Sequence, residues 1–175
     1  MSKPNDKIPT TTDATPVNQE EECEITNMEK YENIKTQFDR LKLAMDNAFY
    51  LEAIAIEYAI MEDRTRSILR YEGNVAVKKN IKPRTPISEK LNIIAKLAQQ
   101  DASIGEIFPN DFINELRVWT RERNAYIHAL IRIITTTNGF KNFAKRGDCL
   151  CKKLRDKANQ YRRLSEKRKS QSQEG

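Results

Sequence analysis

The chain has 175 residues, enough for one domain with length left over at both ends. Its net charge is +6, and 32% of residues are charged against 38% hydrophobic, with five glycines and six prolines. Such a mix, rich in Lys, Glu, Leu, Ile and Ala and poor in turn formers, favours helices over sheets. No run of about 18 apolar residues exists to span a membrane, and Met1 to Thr12 lacks the apolar core of a signal peptide. A soluble protein of the cytoplasm is therefore expected. The isolated glycines rule out a P-loop or a dinucleotide-binding turn. Cys149-x-Cys151 has no second Cys or His cluster to complete a zinc site, and with Cys23 the count is odd, so reduced thiols are expected. The expected cofactor complement is none.

In chain order, residues 1–26 carry six acidic side chains, Asp6, Asp13, Glu20, Glu21, Glu22 and Glu24, against Lys3 and Lys7. With their Thr, Pro and Asn content they read as a disordered acidic tail. A first helix is expected from about Met28 to Asn47, with Tyr31, Ile34, Phe38, Leu41 and Met45 at steps of three and four. After a break near Asp46-Asn47, a second runs from about Phe49 to Tyr71, stopped by Gly73-Asn74. Its apolar stripe is read as Leu51, Ala55, Tyr58, Thr65 and Leu69, with Glu62 lying on it.

A basic loop follows, holding Lys78, Lys79, Lys82 and Arg84 around Pro83 and Pro86. Ser88 is expected to cap a third helix bearing Leu91, Ile94, Leu97 and Ala98. Asn110, after Pro109, is expected to cap the fourth, which runs to about Thr136 before Asn138-Gly139 ends it. The fifth begins near Phe140 and gives way to a disordered basic tail over 166–175. From Lys141 to Lys169 there are twelve Lys or Arg against Asp148, Asp156 and Glu166. That run is either a solvated face or a polyanion contact, and the acidic tail is able to fold back over it. With no two-residue alternation anywhere, the expected fold is all-α, an up-down bundle of four to five helices over 27–165.

The fourth helix carries the most informative residues. Leu116, Trp119, Tyr126, Leu130 and Ile133 mark a buried stripe, and Arg123 lies on it. A guanidinium there must be paired or face a cavity, because burying it alone costs several kcal/mol. Glu62 on the second helix is a plausible partner across the bundle. A second stripe is polar: Arg117, Arg121, Asn124, His128 and Arg132. Asn124 and His128, one turn apart, are placed for the amide to orient the imidazole. Arg123 and His128 are five apart, roughly 140° around an ideal helix, so they flank a groove instead of sharing a face. A second copy across a two-fold axis would bring both types of group to one phosphate.

The segment Arg123-Asn124-Ala125-Tyr126-Ile127-His128 resembles the motif of HEPN-domain proteins, Arg followed after four to six residues by His. Tyr50-Leu51-Glu52-Ala53-Ile54 and Glu57 to Arg64 are similar to the early helix of small bacterial members, with an aromatic, an acidic patch and an Arg. The resemblance spans about Tyr31 to Leu164. It implies a helical bundle that homodimerises through the motif helices, and metal-independent endoribonuclease activity of the kind seen in toxins of toxin–antitoxin pairs and in antiphage defence. RNA would be the substrate and an antitoxin protein a partner. Toxins silenced by a nucleotidyltransferase partner carry Tyr two positions after the His. This chain has Leu130 there, a departure from that type of control.

On this reading His128 is general acid or base, Arg123 stabilises the transition state and Asn124 orients the imidazole. Glu62, with Asp63 and Arg64 beside it, supports Arg123. Arg117, Arg121 and Arg132 contact phosphates, and Tyr126 stacks a base or packs, packing being the plainer role. The competing reading is a basic helical dimer that binds RNA or a partner protein without chemistry.

Overall fold

The computed structural model describes residues 27–71, 85–129 and 137–172. The acidic segment, the basic loop around Pro83, Leu130 to Thr136 and the last three residues lie outside them. The fold is all-helical. Among the described residues there are six helices and no strand: α1 (Asn27–Asp46), α2 (Tyr50–Tyr71), α3 (Ile87–Gln100), α4 (Ala102–Ile107), α5 (Asn110–Ala129) and α6 (Thr137–Gln171). Among them no helix is long and apolar enough to cross a membrane.

The α1–α2 corner is closed by backbone hydrogen bonds. Ala48 takes a left-handed conformation, φ 59°, and its N–H bonds back to Met45 O. Phe49 N–H reaches Ala44 O at 2.8 Å, and the Asn47 side-chain amide adds a bond to Leu43 O. These two backbone bonds are the pair that ends a helix in a Schellman motif, where glycine is the usual residue at positive φ.

α2 is the centre of the bundle. Its buried face is Ala53, Ile54, Ile56, Glu57, Ile60, Met61, Thr65, Ile68 and Leu69. This corrects the stripe read from sequence: Leu51 is 42% exposed, Ala55 is exposed and Tyr58 is half-buried. Nearly every position from Ala53 to Met61 is apolar, so the periodicity there does not define a phase. α6 runs parallel to α2 with a constant offset. Cys151 Sγ donates to Glu57 O and Ser165 Oγ to Tyr71 O, each pair 94 residues apart in sequence.

α3 begins at Ile87 after Pro86, which has no side-chain cap, so Ser88 is inside the first turn and does not cap it. Asp101 separates α3 from α4, a short helix that sequence periodicity did not resolve. Its side chain accepts from Ser103 N–H and Ile104 N–H. Gly105 sits against the Ala98 carbonyl, where a β-carbon would come within 2.8 Å of the oxygen, so the elbow closes tightly.

Two expectations about the last helix are corrected. Asn138 and Gly139 do not terminate anything; they lie in the first turn of α6. Positions 166–171, expected as a disordered tail, continue α6 to Gln171. The helix is held there by tertiary contact: Arg168 Nη1 meets Asp101 Oδ2 at 2.7 Å, across from the α3–α4 elbow. That hydrogen bond to Arg168 is the largest cause holding the Asp101 carboxyl below its usual range, aided by the Ile104 and Ser103 N–H groups.

Candidate functional site

The apolar side of α5 is as expected where it is described. Leu116 and Trp119 are fully buried, and Tyr126 packs against Phe140 and Phe143 with ring centroids 5.6 and 4.7 Å away. Tyr126 therefore packs. Leu130, Arg132 and Ile133 lie outside the described residues.

Arg123 points inward and is half-buried. Its guanidinium lies over the Tyr58 ring of α2, Cζ 4.3 Å from the centroid. Nη1 donates to Asn124 Oδ1 at 3.2 Å. Nε is buried and carries no hydrogen bond among the described residues. A cation over a tyrosine face at this distance is worth about 0.5–2 kcal/mol, depending on how much water is excluded.

Glu62 does not take Arg123 as partner in the structure. Its Oε1 accepts from Lys90 Nζ at 3.1 Å, with Arg66 Nη2 at 3.9 Å one turn along α2. Lys90, on α3, is fully buried, whereas the Glu62 side chain retains 32% of its exposure. Tyr58 stands between the two systems. Burial pushes its phenol up, the Glu62 charge adds to that, and Arg123 opposes it. The α2 face is thus a row of alternating groups: Arg123, the Tyr58 ring, the Glu62 carboxylate, and the Lys90 and Arg66 cations.

The other residues singled out in the sequence divide. Asp63 and Arg64 pair with each other on neighbouring positions, Arg64 Nε to Asp63 Oδ2 at 3.0 Å. Arg117 bridges to α3, with Nη2 on Asn92 Oδ1 at 2.7 Å and Nη1 on Asn114. Arg121, Asn124 and His128 are exposed. Asn124 spends its amide oxygen on Arg123, and among the described residues it makes no hydrogen bond to His128. The five-residue separation has the consequence computed for an ideal helix: Arg123 faces the bundle and His128 faces out.

Two groups that sequence reasoning passed over are more deeply buried than any of these. Lys90 is one. Glu57 is the other: it is 0% exposed, and among the described residues neither carboxyl oxygen has a hydrogen-bond partner of normal geometry, the Asp148 backbone N–H being near enough only to offset part of the cost of burial. It lies between α2 and α6, against Gly147, beside Trp119, Asp148 and Cys151. Desolvation, reinforced by the Asp148 charge, raises its pKa from 4.5 to about 9, so the folded protein holds it neutral at pH 7. The signal was present as a lone glycine, Gly147, in the middle of an otherwise helical sequence, which marks close approach of another group.

Among the described residues no group of three or more His, Cys, Asp or Glu side chains is placed to hold a metal ion. The fold and this site define the chain as an all-helical bundle with a cation-rich α2–α3–α5 face. No protein-family model, curated protein or solved structure matches it.

Proposed function

We propose that the chain is a metal-independent endoribonuclease of HEPN type, acting in the cytoplasm as a homodimer in the manner of a toxin or antiphage effector. The supporting observation is the state of Arg123. Its guanidinium lies over the Tyr58 ring and is steered by Asn124, while the remaining nitrogens have no carboxylate partner among the described residues. Glu62, the obvious counter-charge, is engaged by Lys90 and Arg66. An arginine kept in place by a ring and an amide retains its charge for an anion.

Cleavage without a metal uses the substrate's own 2′-hydroxyl as nucleophile, forming a 2′,3′-cyclic phosphate and releasing the 5′-oxygen. His128 is exposed at the C-terminal end of α5, where its imidazole is the side chain suited to both proton transfers. Arg123 supplies positive charge to the phosphorane oxygens. Because the two side chains diverge on one helix, the complete site takes Arg123 from one protomer and His128 from the other. Asn124 positions Arg123, a role that replaces the imidazole-orienting one. Exposed Arg121 and half-buried Arg117 line the approach for the phosphate backbone; Arg132 lies outside the described residues.

The test is RNA cleavage in EDTA by the unaltered chain, His128→Ala, Arg123→Ala and an equimolar mixture of the two variants, each checked by circular dichroism. Cleavage leaving cyclic phosphate ends, lost in either variant and partly regained in the mixture, is the expected result. No cleavage by the unaltered chain, with RNA binding retained by both variants, replaces this reading with a non-catalytic RNA-binding dimer.

A further inference from the structure

The cations of α6 are not uniformly spent. Toward its first half, Arg146 pairs with Glu122, Lys152 with Asp148 and Lys153 with Glu115. In the last part of the helix Arg163, Lys167 and Lys169 are exposed and have no ion pair among the described residues. Among the described residues Arg162 has only Glu166 at 3.7 Å, both about half exposed or more, an arrangement that contributes little and exchanges readily.

The packing determines what chain emerges beside this basic end. α1 and α2 are joined by a tight corner and run antiparallel, while α2 and α6 run parallel with a constant offset. α1 is therefore antiparallel to α6. One contact sets the level: the Arg155 guanidinium lies over the Phe38 ring at 5.1 Å. At about 1.5 Å rise per residue in each helix, stepping back along α1 from Phe38 matches stepping forward along α6 from Arg155. Position 31 then falls level with Arg162, and Asn27, where α1 begins, level with Glu166, just short of Lys167 and Lys169. Arg155, Arg162 and Lys169 are seven apart, so all three lie on the side of α6 that carries the Phe38 contact.

We infer that the acidic segment ending in Glu20-Glu21-Glu22-Cys23-Glu24 docks along the basic end of α6, on Arg162, Arg163, Lys167 and Lys169, and competes there with external polyanions. Residues 1–26 carry six acidic groups against two lysines, opposite in sign to the end of α6. The covalent link at Asn27 holds them at high effective concentration. The segment acts as a built-in competitor that raises the threshold for any polyanion approaching α6. This inference is independent of His128 and of RNA cleavage.

The experiment uses the full chain and a charge-neutralised form, Glu20→Gln, Glu21→Gln, Glu22→Gln and Glu24→Gln together. Heparin oligosaccharide is the probe, since no ribonuclease cleaves it. At low salt the neutralised form is expected to bind about tenfold more tightly, the difference closing as salt rises, because the contacts are screened surface charges. Carbodiimide treatment of the dilute unaltered chain, as an equal mixture of isotopically light and heavy protein, is expected to link residues 20–24 to Lys167 or Lys169 within single chains. Equal heparin affinity of the two forms overturns the inference. So does cross-linking between light and heavy chains, or none to α6.

Discussion

The Glu57 carboxyl group occupies the place where a side chain on Gly147 would begin: a β-carbon there would overlap Glu57 Oε2 and Cδ and press on Trp119 Cζ2. Three residues from three helices, α2, α5 and α6, therefore meet at a point that only glycine admits.

Gly147→Ala tests this directly. In an exposed helix interior the change would stabilise by about 1 kcal/mol through helix propensity. Here it is expected to destabilise by about 1–3 kcal/mol, the usual cost of overfilling a packed core, because buried Glu57 and the rigid Trp119 ring have little room to give. Urea midpoints measure it. The double variant with Glu57→Ala should be less destabilised than the sum of the single changes, since the overlap is then removed.

The pH dependence of stability follows from Glu57. Its folded pKa of about 9 lies above the unfolded value of 4.5. Between those values the unfolded chain releases this proton and the folded chain keeps it. Fewer protons bound on unfolding means stability falls as pH rises, from about pH 4.5 to about pH 9, by a total on the order of several kcal/mol. Glu57→Gln keeps the shape and removes the titration. It is expected to flatten this slope and to be more stable than the unaltered chain at pH 8, read from urea midpoints at pH 5.5 and pH 8.

The Lys90–Glu62 pair is predicted to be asymmetric. Glu62→Gln leaves the fully buried Lys90 ammonium without its carboxylate, a change that costs about 3 kcal/mol, at the low end for buried pairs because the Glu62 side is partly solvated. Lys90→Met replaces a buried charge by an apolar chain of similar length and leaves Glu62 with Arg66 and water. Its expected cost is under about 1.5 kcal/mol. Equal losses in thermal denaturation would overturn the account of which partner is trapped.

At the α1–α2 corner, Ala48 holds a positive φ that an L side chain resists by about 1–2 kcal/mol. Ala48→Gly relieves that and gives back part of the gain as unfolded-chain entropy. A net stabilisation of about 0.5–1 kcal/mol, seen as a raised melting temperature, is expected. No change would mean that the corner is not under this strain.

Much of the bundle was legible in the amino-acid sequence. Helix type follows from composition and three-to-four spacing, and the break between α1 and α2 fell within a residue or two of expectation because turn residues mark it locally. The inward placement of Arg123, the packing of Tyr126 and the divergence of Arg123 from His128 also follow from helical geometry alone. Local rules failed where a distant contact overrides them. Asn138-Gly139 reads as a stop but sits inside α6, and positions 166–171 read as tail but stay helical, with Arg168 on Asp101.

What the sequence determined by itself is therefore the all-α class, most of the helices and the face of α5 that holds Arg123, since these depend on neighbours within a few residues. Only the tertiary structure decided the partners. It placed Tyr58 under Arg123, gave Glu62 to Lys90 and enclosed Glu57 against Gly147. Each of those outcomes depends on the relative phase and register of two helices. The nearly unbroken apolar run of α2 leaves that phase open until α3, α5 and α6 pack around it.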